Sequence, residues 1–238
     1  MAASCNWKRR WMKCGRARWS VWVRDYQLLI FDWDGTLVDS IGRIVEAMHQ
    51  AALSSGLPRL DDVAIKGIIG LALPEAIRVL YPELEDQACS ERFAQRYSDC
   101  YLTLETEPSP LFPGVAEALE AFRAQGFHLA VATGKSRHGL QRVLKGRGWC
   151  DYFDLTRCAD ETASKPHPLM LHETLQHFQL PPERALMVGD SSFDLQMAHN
   201  AGMDSVAVGY GAQPLAVLQE QRPRLAIERF SQLREWLA

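Results

Sequence analysis

The 238-residue sequence lacks several features that would place it in a class of protein at once. It has no uninterrupted apolar run of the ~18 residues that a membrane-spanning helix needs, no internal repeat and no low-complexity tract. Its six cysteines form no CxxC pair and its seven histidines form no HxH or HExxH pair, so neither a zinc finger nor a histidine metal centre is indicated. No GxxxxGK motif is present, which argues against a P-loop nucleotide triphosphatase.

Basic residues are scarce in most of the chain. Residues 1–25 hold seven of the 26 Lys and Arg residues and one of the 29 Asp and Glu residues, which leaves residues 26–238 with 19 basic and 28 acidic side chains and a net charge of −9. An acidic body gives no general electrostatic support for binding nucleic acid. The scattered cysteines are typical of reduced thiols that pack as small apolar groups, so we expect a cytoplasmic protein.

Residues 1–25 form a basic segment with four tryptophans and no helical or strand period. Its longest apolar run, Val21-Trp22-Val23, is too short for the ~7–15 apolar residues of a signal peptide. Such a segment could contact a membrane surface or RNA, or it could be a disordered extension or the translation of an upstream start codon. Because the first predicted strand begins cleanly at Tyr26, we favour a disordered extension with neither a membrane nor a nucleic-acid partner.

The rest of the chain predicts an α/β fold. The continuous apolar run at 26–31 is typical of a strand buried on both faces of a parallel sheet. Further strands are predicted at 127–132, near 152–157, at 185–189 and at 205–209, with amphipathic helices between them. This alternation predicts a doubly wound, mostly parallel sheet with helices on both faces.

The connection after the first strand is roughly 65 residues too long for a simple crossover. It contains no strand pattern. Ile41, Ile44, Val45 and Met48 lie on one face of a predicted helix, and a second strong helix is predicted around 91–102, with shorter helices joined by Gly and Pro turns between them. We therefore predict an α-helical cap over residues 41–107, inserted into a core formed by residues 26–40 and 108–238.

Polar residues suited to phosphate chemistry follow four of the predicted strands. In chain order these are Asp32, Asp34, Gly35 and Thr36; Thr133, Gly134, Lys135 and Ser136; Lys165, which precedes Pro166; and Asp190 with Asp194. Ligands of open parallel sheets bind outside the carboxyl ends of the strands. We therefore expect these side chains to meet in one site.

The residue types indicate magnesium-assisted phosphoryl transfer. Asp32 and Asp190 can supply the oxygen ligands that Mg²⁺ prefers. A carboxylate can also attack phosphorus, which splits hydrolysis into two easier steps. Thr133, with backbone amides at a helix start, can hold phosphate oxygens, and Lys165 can neutralise the nucleophile and the transferred group.

The same residues resemble the four motifs of the haloacid dehalogenase-like phosphohydrolases. The first motif, DxDGT, is present as residues 32–36, and the second is the apolar strand that ends at Thr133. Lys165 matches the third motif, and residues 189–194 match the fourth, GDSxxD. All four occur in the family's order, and with the predicted cap the resemblance covers about residues 26–238.

The resemblance implies a role for each of these residues. Asp32 is the expected nucleophile, and Asp34 the general acid–base. Mg²⁺ is expected on the Asp32 side chain, the Asp34 backbone carbonyl and Asp190, with Asp194 in support. The expected phosphate-binding set is Gly35, Thr133, Gly134 and Lys165. Because the dehalogenase branch lacks the second aspartate, Asp34 favours phosphate esters over carbon–halogen bonds.

The substrate is less closely indicated than the chemistry. Residues 69–77 and the strand end ATGKS resemble the phosphoglycolate phosphatase-like group, so we expect a small phosphorylated metabolite, with 2-phosphoglycolate as the first candidate. Gly70 could face the substrate or form an ordinary turn between helices. Lys135 and Arg137 could meet a substrate carboxylate or lie in solvent.

Three other functions remain open from the sequence. A phosphosugar mutase of the β-phosphoglucomutase type would use the same aspartate pair, and a pyrophosphatase or nucleotidase would use the same site. A regulatory or binding protein on this scaffold would have no need of Asp32, Asp34, Lys165 and Asp190 together. Trp33 lies between the two aspartates, and we expect it to pack in the core because alternate strand residues face opposite sides.

Overall fold

A six-stranded parallel sheet forms the centre of the computed structural model, which describes residues 25–84 and 86–238. The strand order is β3-β2-β1-β4-β5-β6, and every neighbouring pair is parallel. The strands are β1 (Leu28–Phe31), β2 (His128–Thr133), β3 (Leu155–Cys158), β4 (Ala185–Gly189), β5 (Asp204–Val208) and β6 (Leu225–Ile227). Apart from Asp25, the extension expected at residues 1–25 lies outside the described residues.

Ten helices accompany the sheet within the described ranges. They are α1 (Ile41–Ser54), α2 (Asp62–Gly67), α3 (Leu73–Leu80), α4 (Gln87–Leu104), α5 (Val115–Ala124), α6 (Arg137–Gly146), α7 (Leu169–Phe178), α8 (Ser192–Asn200), α9 (Leu215–Gln219) and α10 (Ser231–Leu237). Among the residues that the structure covers, no helix combines the length and hydropathy needed to cross a bilayer.

Strand β1 shows why helices cover both faces of the sheet. Its four residues are fully buried, and successive side chains point to opposite faces. Leu29 and Phe31 belong to one hydrophobic cluster, which includes Phe122 of α5. Leu28 and Ile30 belong to a second cluster on the other face, which includes Leu171 of α7. The predicted doubly wound parallel α/β fold is confirmed.

Helices α1 to α4 lie between β1 and β2 and form a separate hydrophobic cluster. The face of α1 that carries Met48 packs against Phe93 of α4 and Tyr81 after α3. Asp61 and Asp86 cap α2 and α4, since their carboxylates accept backbone N–H bonds at the helix starts. The region from 41 to 107 has no strand among its described residues, as expected, and we call it the helical insertion. Its bounds as an independent cap domain stay a prediction.

The end of the chain contains elements that the sequence analysis missed. Strand β6 has only three residues, and helix α10 only seven, so neither shows a measurable period. Both nevertheless complete the main cluster, because Ile227, Phe230 and Leu233 are fully buried against it. Short elements of this kind are fixed by tertiary packing rather than by local pattern.

Trp33 packs in the core, as predicted. Only 1% of its surface is exposed, and its ring meets those of Trp149 and Phe153 edge-on, with centroids 6.3 and 6.2 Å apart. Such edge-to-face contacts add to the stabilisation from burial. The buried indole thus anchors the backbone between Asp32 and Asp34 in the core.

Replacing this buried indole should destabilise the protein. We expect Trp33→Ala to lower the free energy of unfolding by about 3–5 kcal/mol, because it removes a large buried group and leaves a cavity. Urea denaturation followed by circular dichroism would measure the loss. The matched control is Trp236→Ala at a half-buried tryptophan in α10, which should cost clearly less. An equal or larger loss at Trp236 would contradict the proposed role of Trp33.

Candidate active site

The carboxyl ends of the central strands bring the predicted residues to one edge of the sheet. Asp32 follows β1, Thr133 ends β2 and Asp190 follows β4, while Lys165 lies in the loop between β3 and α7. All four are buried. Because β1 pairs with both β2 and β4, the three strand ends are direct neighbours.

Lys165 joins two of the aspartates. Its Nζ lies 2.6 Å from Oδ1 of Asp32 and 2.7 Å from Oδ1 of Asp194, and its side chain is fully buried. A buried ammonium group is costly unless it is paired. The two carboxylates therefore hold Lys165 in place, and Lys165 in turn holds Asp32 at the end of β1.

The buried charges shift one another's titration. Burial raises the pKa of Asp32 to about 7, although the Lys165 ammonium opposes the shift, while the charge of Asp194 adds to it. Burial alone lowers the pKa of Lys165, but the charges of Asp194 and Asp32 outweigh it and keep this pKa above its ordinary value. Burial, with the charges of Asp32 and Asp194, also raises the pKa of Asp190 well above its usual range. Three carboxylates lie together and only two of them pair with the ammonium, so the site favours an added cation.

The carboxylates are close enough to share that cation. Asp32, Asp190 and Asp194 each offer an oxygen, and these oxygens lie within 4.8 Å of one another. Oδ2 of Asp32 is buried and accepts no hydrogen bond from any residue in the described ranges. Carboxylate oxygens are the ligands that hard divalent cations prefer. The residues present therefore fit a divalent cation.

Asp190 is oriented by its neighbours. Its carboxylate accepts hydrogen bonds from Oγ1 of Thr36 at 3.0 Å and from the backbone N–H of Ala212 at 2.6 Å. Gly35 and Gly211 flank the same group, and a Cβ on either glycine would overlap Oδ2 of Asp190. Gly35 has φ of +80°, which favours glycine independently. Gly35, predicted to bind phosphate, thus shapes the pocket of Asp190.

Asp194 has a structural task in addition to its ion pair. It caps α8, where its Oδ2 accepts hydrogen bonds from Oγ of Ser191 at 2.6 Å and from the backbone N–H of Ser191 at 3.1 Å. A Cβ on Gly189 would overlap this carboxylate. Asp194 therefore accepts more contacts from other residues than Asp32 does, in keeping with the supporting role expected for it.

Asp34 has partners other than Lys165. It accepts a hydrogen bond from Oγ of Ser40 at 2.6 Å and forms an ion pair with Lys135, whose Nζ is 3.0 Å from Oδ2. Lys135 also lies over the ring of Tyr101, 4.8 Å from its centroid. Burial lowers the pKa of Lys135, but the charge of Asp34 outweighs it, so this pKa lies above its ordinary value. Lys135 is thus a charged partner of Asp34 rather than a solvated side chain.

The loop at Gly70 and Leu71 brings the helical insertion onto the strand ends. A Cβ on Gly134 would lie 2.5 Å from the carbonyl oxygen of Leu71 and 2.6 Å from that of Gly70, so the approach requires glycine. The backbone N–H of Ala72 donates to Oγ of Ser164 at 2.9 Å. Gly70 itself has φ of +107°. The loop therefore faces the site and is not an ordinary solvent turn.

A cavity of about 410 Å³ lies between the helical insertion and the strand ends. Asp32, Asp34 and Thr133 line its inner end, where the backbone N–H of Lys135 donates to Oγ1 of Thr133 at 3.2 Å. Other lining groups come from the helical insertion, from the turn between β2 and α6, and from α6: Ile44, Met48, Gly70, Leu71, Leu73, Tyr97, Tyr101, Leu102, Gly134, Lys135 and Arg142. The cavity joins the buried carboxylates to a space large enough for a small molecule.

Arg137 does not line this cavity. Its guanidinium binds Glu161 at 2.8 and 2.5 Å and Oγ1 of Thr156 at 2.6 Å, beside β3. The sequence leaves open whether Arg137 meets a substrate carboxylate or lies in solvent, and in the structure its guanidinium is engaged at the edge of the sheet. The reason is local, because Glu161 competes for the guanidinium with a bidentate pair.

Several lining residues were not identified from the sequence. Tyr97 and Tyr101 share a face of α4 that the helical period marks only as buried, and Arg142 lies in α6 with no distinguishing neighbour in sequence. These side chains become part of the site only because the helical insertion folds over the sheet. The residues of the strand ends carry their signal in the sequence, and those of the insertion do not.

Comparisons with known proteins agree with this geometry. The family model described as haloacid dehalogenase-like hydrolase matches residues 29–208. A protein of Dickeya dadantii (strain 3937) named "Probable phosphatase IndB" is 36% identical over 210 residues, which cover 87% of this chain and 91% of that protein. A phosphoglycolate phosphatase of Vibrio vulnificus (strain YJ016) is 31% identical over 88% of this chain and 95% of its own length.

A solved structure gives the same result for the fold. The haloacid dehalogenase-like family hydrolase SP0104 of Streptococcus pneumoniae superposes with a TM-score of 0.77 at 26% identity, over 90% of this chain and 99% of that chain. The sequence motifs, the parallel sheet, the buried carboxylates at its edge and the family match all agree. This chain belongs to the haloacid dehalogenase-like hydrolase family.

Proposed function

We propose that this hydrolase is a magnesium-dependent phosphatase that cleaves a small phosphomonoester through a phosphorylated Asp32. The observation that carries the proposal is the group of three buried carboxylates, two of them paired with the Lys165 ammonium, in which Oδ2 of Asp32 accepts no hydrogen bond from the described residues and Asp32 lines the cavity together with Asp34. Two of the relatives compared above are named as phosphatases, which supports the same class of reaction.

Asp32, Asp190 and the Asp34 backbone carbonyl are the proposed ligands of Mg²⁺, with Asp194 in support. When bound, the ion would offset the negative charge of the phosphoryl group and lower the cost of bringing a carboxylate towards it. It would also favour ionised Asp32, whose pKa of about 7 in the metal-free site leaves part of the carboxyl protonated at neutral pH.

The proposed reaction has two steps. An oxygen of Asp32 attacks phosphorus, the bond from phosphorus to the leaving oxygen breaks, and Asp34 gives its proton to that oxygen so that a neutral alcohol departs. Asp34 then takes a proton from water, the water oxygen attacks phosphorus, and the acyl phosphate bond breaks to release phosphate and restore Asp32. Lys165 and Thr133 hold phosphoryl oxygens during both steps.

Its fixed position supports the role of Asp34. Lys135 and Ser40 hold its two oxygens. A general acid–base must be positioned beside the oxygen that it protonates. Among the four aspartates that follow β1 and β4, Asp32 and Asp34 line the cavity and Asp190 and Asp194 do not, so Asp34 has access to a leaving group beside Asp32.

Phosphoglycolate is a candidate substrate, since it is named for the Vibrio vulnificus relative. A phosphosugar mutase would return the phosphoryl group to its substrate. Single-turnover release of inorganic phosphate separates the two functions, because a mutase would show little net hydrolysis. Full release supports a phosphatase, and retention of the phosphoryl group on a sugar would contradict it.

Removing the proposed nucleophile should abolish hydrolysis. We expect Asp32→Asn to lower kcat for para-nitrophenyl phosphate with Mg²⁺ by at least ~10³-fold, because an amide oxygen is a poor nucleophile. The control is Asp39→Asn, an exposed aspartate seven positions along the chain, which should keep the wild-type rate. Activity that survives Asp32→Asn would disprove the assignment of the nucleophile, and inactivity of both wild type and Asp39→Asn would disprove the phosphatase.

The effect of Asp34 should depend on the leaving group. We expect Asp34→Asn to lower kcat/KM for benzyl phosphate by ~10²–10⁴-fold, because its alkoxide needs a proton to depart. The loss for para-nitrophenyl phosphate should be much smaller, since nitrophenolate departs without one. A stoichiometric burst of nitrophenolate should then precede slow turnover. Equal losses with the two esters would contradict the role of general acid.

Mg²⁺ should stabilise the folded protein as well as activate it. Binding to the native state at ~100 times Kd adds about 2.7 kcal/mol of stability, so Mg²⁺ should raise the Tm of the metal-free wild type. Asp190→Asn should lose most of this rise, and Asp39→Asn should keep it. EDTA should abolish hydrolysis. An unchanged Tm together with activity in EDTA would contradict the metal requirement.

A further inference from the structure

The outer part of the cavity has a composition that bears on the leaving group. Its inner end is the phosphoryl site at Asp32, and its outer wall is built by the helical insertion and the start of α6. At about 410 Å³ the cavity falls in the range of ~300–1,000 Å³ in which proteins hold drug-sized ligands. That is more space than a phosphoryl group and a two-carbon leaving group occupy.

The outer wall is mostly apolar. The apolar side chains come from α1, α3, α4 and the insertion loop: Ile44, Met48, Leu73, Leu102 and Leu71. Hydroxyl groups in this wall are partly committed, since Ser98 of α4 donates to the carbonyl oxygen of Ala94 at 2.9 Å. A ligand that buries apolar surface against this wall gains free energy in proportion to the area covered.

Two aromatic rings lie side by side in the same wall. The rings of Tyr97 and Tyr101 are one helical turn apart on α4, with centroids 6.1 Å apart and an interplanar angle of 38°. Tyr101 is buried and faces Lys135, so its ring is already engaged on one side. Tyr97 is half-buried and lines the cavity. Aromatic surfaces of this kind favour flat or apolar partners.

The charges that line the cavity are already paired. Lys135 is bound to Asp34 at 3.0 Å, and Arg142 is bound to Glu105 at 2.5 Å. These are the only Lys and Arg residues in the lining of the cavity within the described ranges, and His138 at the rim is exposed. Glu75 and Asp160 add negative charge to the same lining.

This charge pattern opposes an anionic leaving group. A carboxylate removed from water needs a cation or several donors in exchange. Here it would have to compete with Asp34 for Lys135 or with Glu105 for Arg142, and the same lining adds the negative charges of Glu75 and Asp160. An uncharged leaving group makes neither demand.

We propose that the leaving group of the substrate is an uncharged alcohol that carries a flat or apolar ring, which packs against Tyr97 and the apolar wall of the helical insertion. The inference rests on the proposed phosphatase function and narrows it. The substrate is then a phosphomonoester of a ring-bearing neutral alcohol, and phosphoglycolate, with its carboxylate, is disfavoured.

Two esters with the same ring test the effect of an added negative charge. Benzyl phosphate carries a neutral ring, and 4-carboxybenzyl phosphate carries the same ring with one carboxylate added. We expect kcat/KM for benzyl phosphate to exceed that for 4-carboxybenzyl phosphate by at least ~tenfold, and to exceed that for phosphoglycolate by a similar factor. Equal or lower kcat/KM for benzyl phosphate in either comparison would overturn the inference.

Variants of the wall test the contact with the ring. Tyr97→Ala should lower kcat/KM for benzyl phosphate by ~tenfold while that for phosphoglycolate changes little, because only the ring reaches the wall. Tyr97→Phe should retain the wild-type preference, since it keeps the aromatic face. Leu53→Ala, at a residue of α1 that is 83% exposed, serves as the control. An equal loss of kcat/KM on both substrates in Tyr97→Ala would show a structural role and overturn the contact.

The two levels of proposal fail differently. If wild type hydrolyses phosphoglycolate or the carboxylated ester best and Asp32→Asn does not, the leaving-group inference is wrong and the phosphatase stands. If wild type hydrolyses none of the three esters, or if Asp32→Asn hydrolyses them equally well, the proposed function fails as well.

Discussion

The ion pairs of Lys165 are the interaction on which the rest of the site depends. One fully buried ammonium lies 2.6 Å from Asp32 and 2.7 Å from Asp194, while Asp190 adds a third carboxylate nearby. Without Lys165, three buried negative charges would repel one another in a medium that screens them poorly. With it, the group is held together but still lacks positive charge. The edge of the sheet therefore carries excess negative charge that favours binding of a cation, and the proposed phosphoryl transfer requires a cation at this place.

The helical insertion also meets this edge, through the loop at Gly70 and Leu71 and through Tyr101. Asp34 links the sheet to the insertion through charged contacts. It follows β1 and pairs with Lys135, and Lys135 lies over the ring of Tyr101 in the insertion. A second bridge runs through Glu105, which binds Arg43 of α1 and Arg142 of α6. The packing of the insertion on the sheet therefore both positions the proposed acid–base and forms the outer wall of the cavity. The same contacts thus affect the catalytic step and the choice of leaving group.

Sequence reasoning succeeded where the signal is local. The strands, the helical character of the insertion and the residues at the strand ends follow from apolar runs, periodicity and motifs, and Trp33 lies in the core as expected. The ion pair of Arg137 could not be predicted because its partner Glu161 lies 24 positions away, and no pattern in sequence links them. Tyr97 and Arg142 were missed for the same reason, because their role comes from how α4 and α6 approach each other across the cavity. Strand β6 was missed because three residues carry no period.

The close contact between Gly134 and the insertion loop limits which substitutions this protein can accept. The carbonyl oxygens of Gly70 and Leu71 occupy the volume that any side chain at position 134 would need. The backbone shape of the strand end and that of the loop therefore depend on each other. A changed side chain in the wall of the cavity alters its shape locally, whereas a side chain at position 134 would collide with the backbone of the loop. A chimera that transplants another helical insertion onto this sheet must carry a loop of the same backbone shape, or alter both sides of the contact at once.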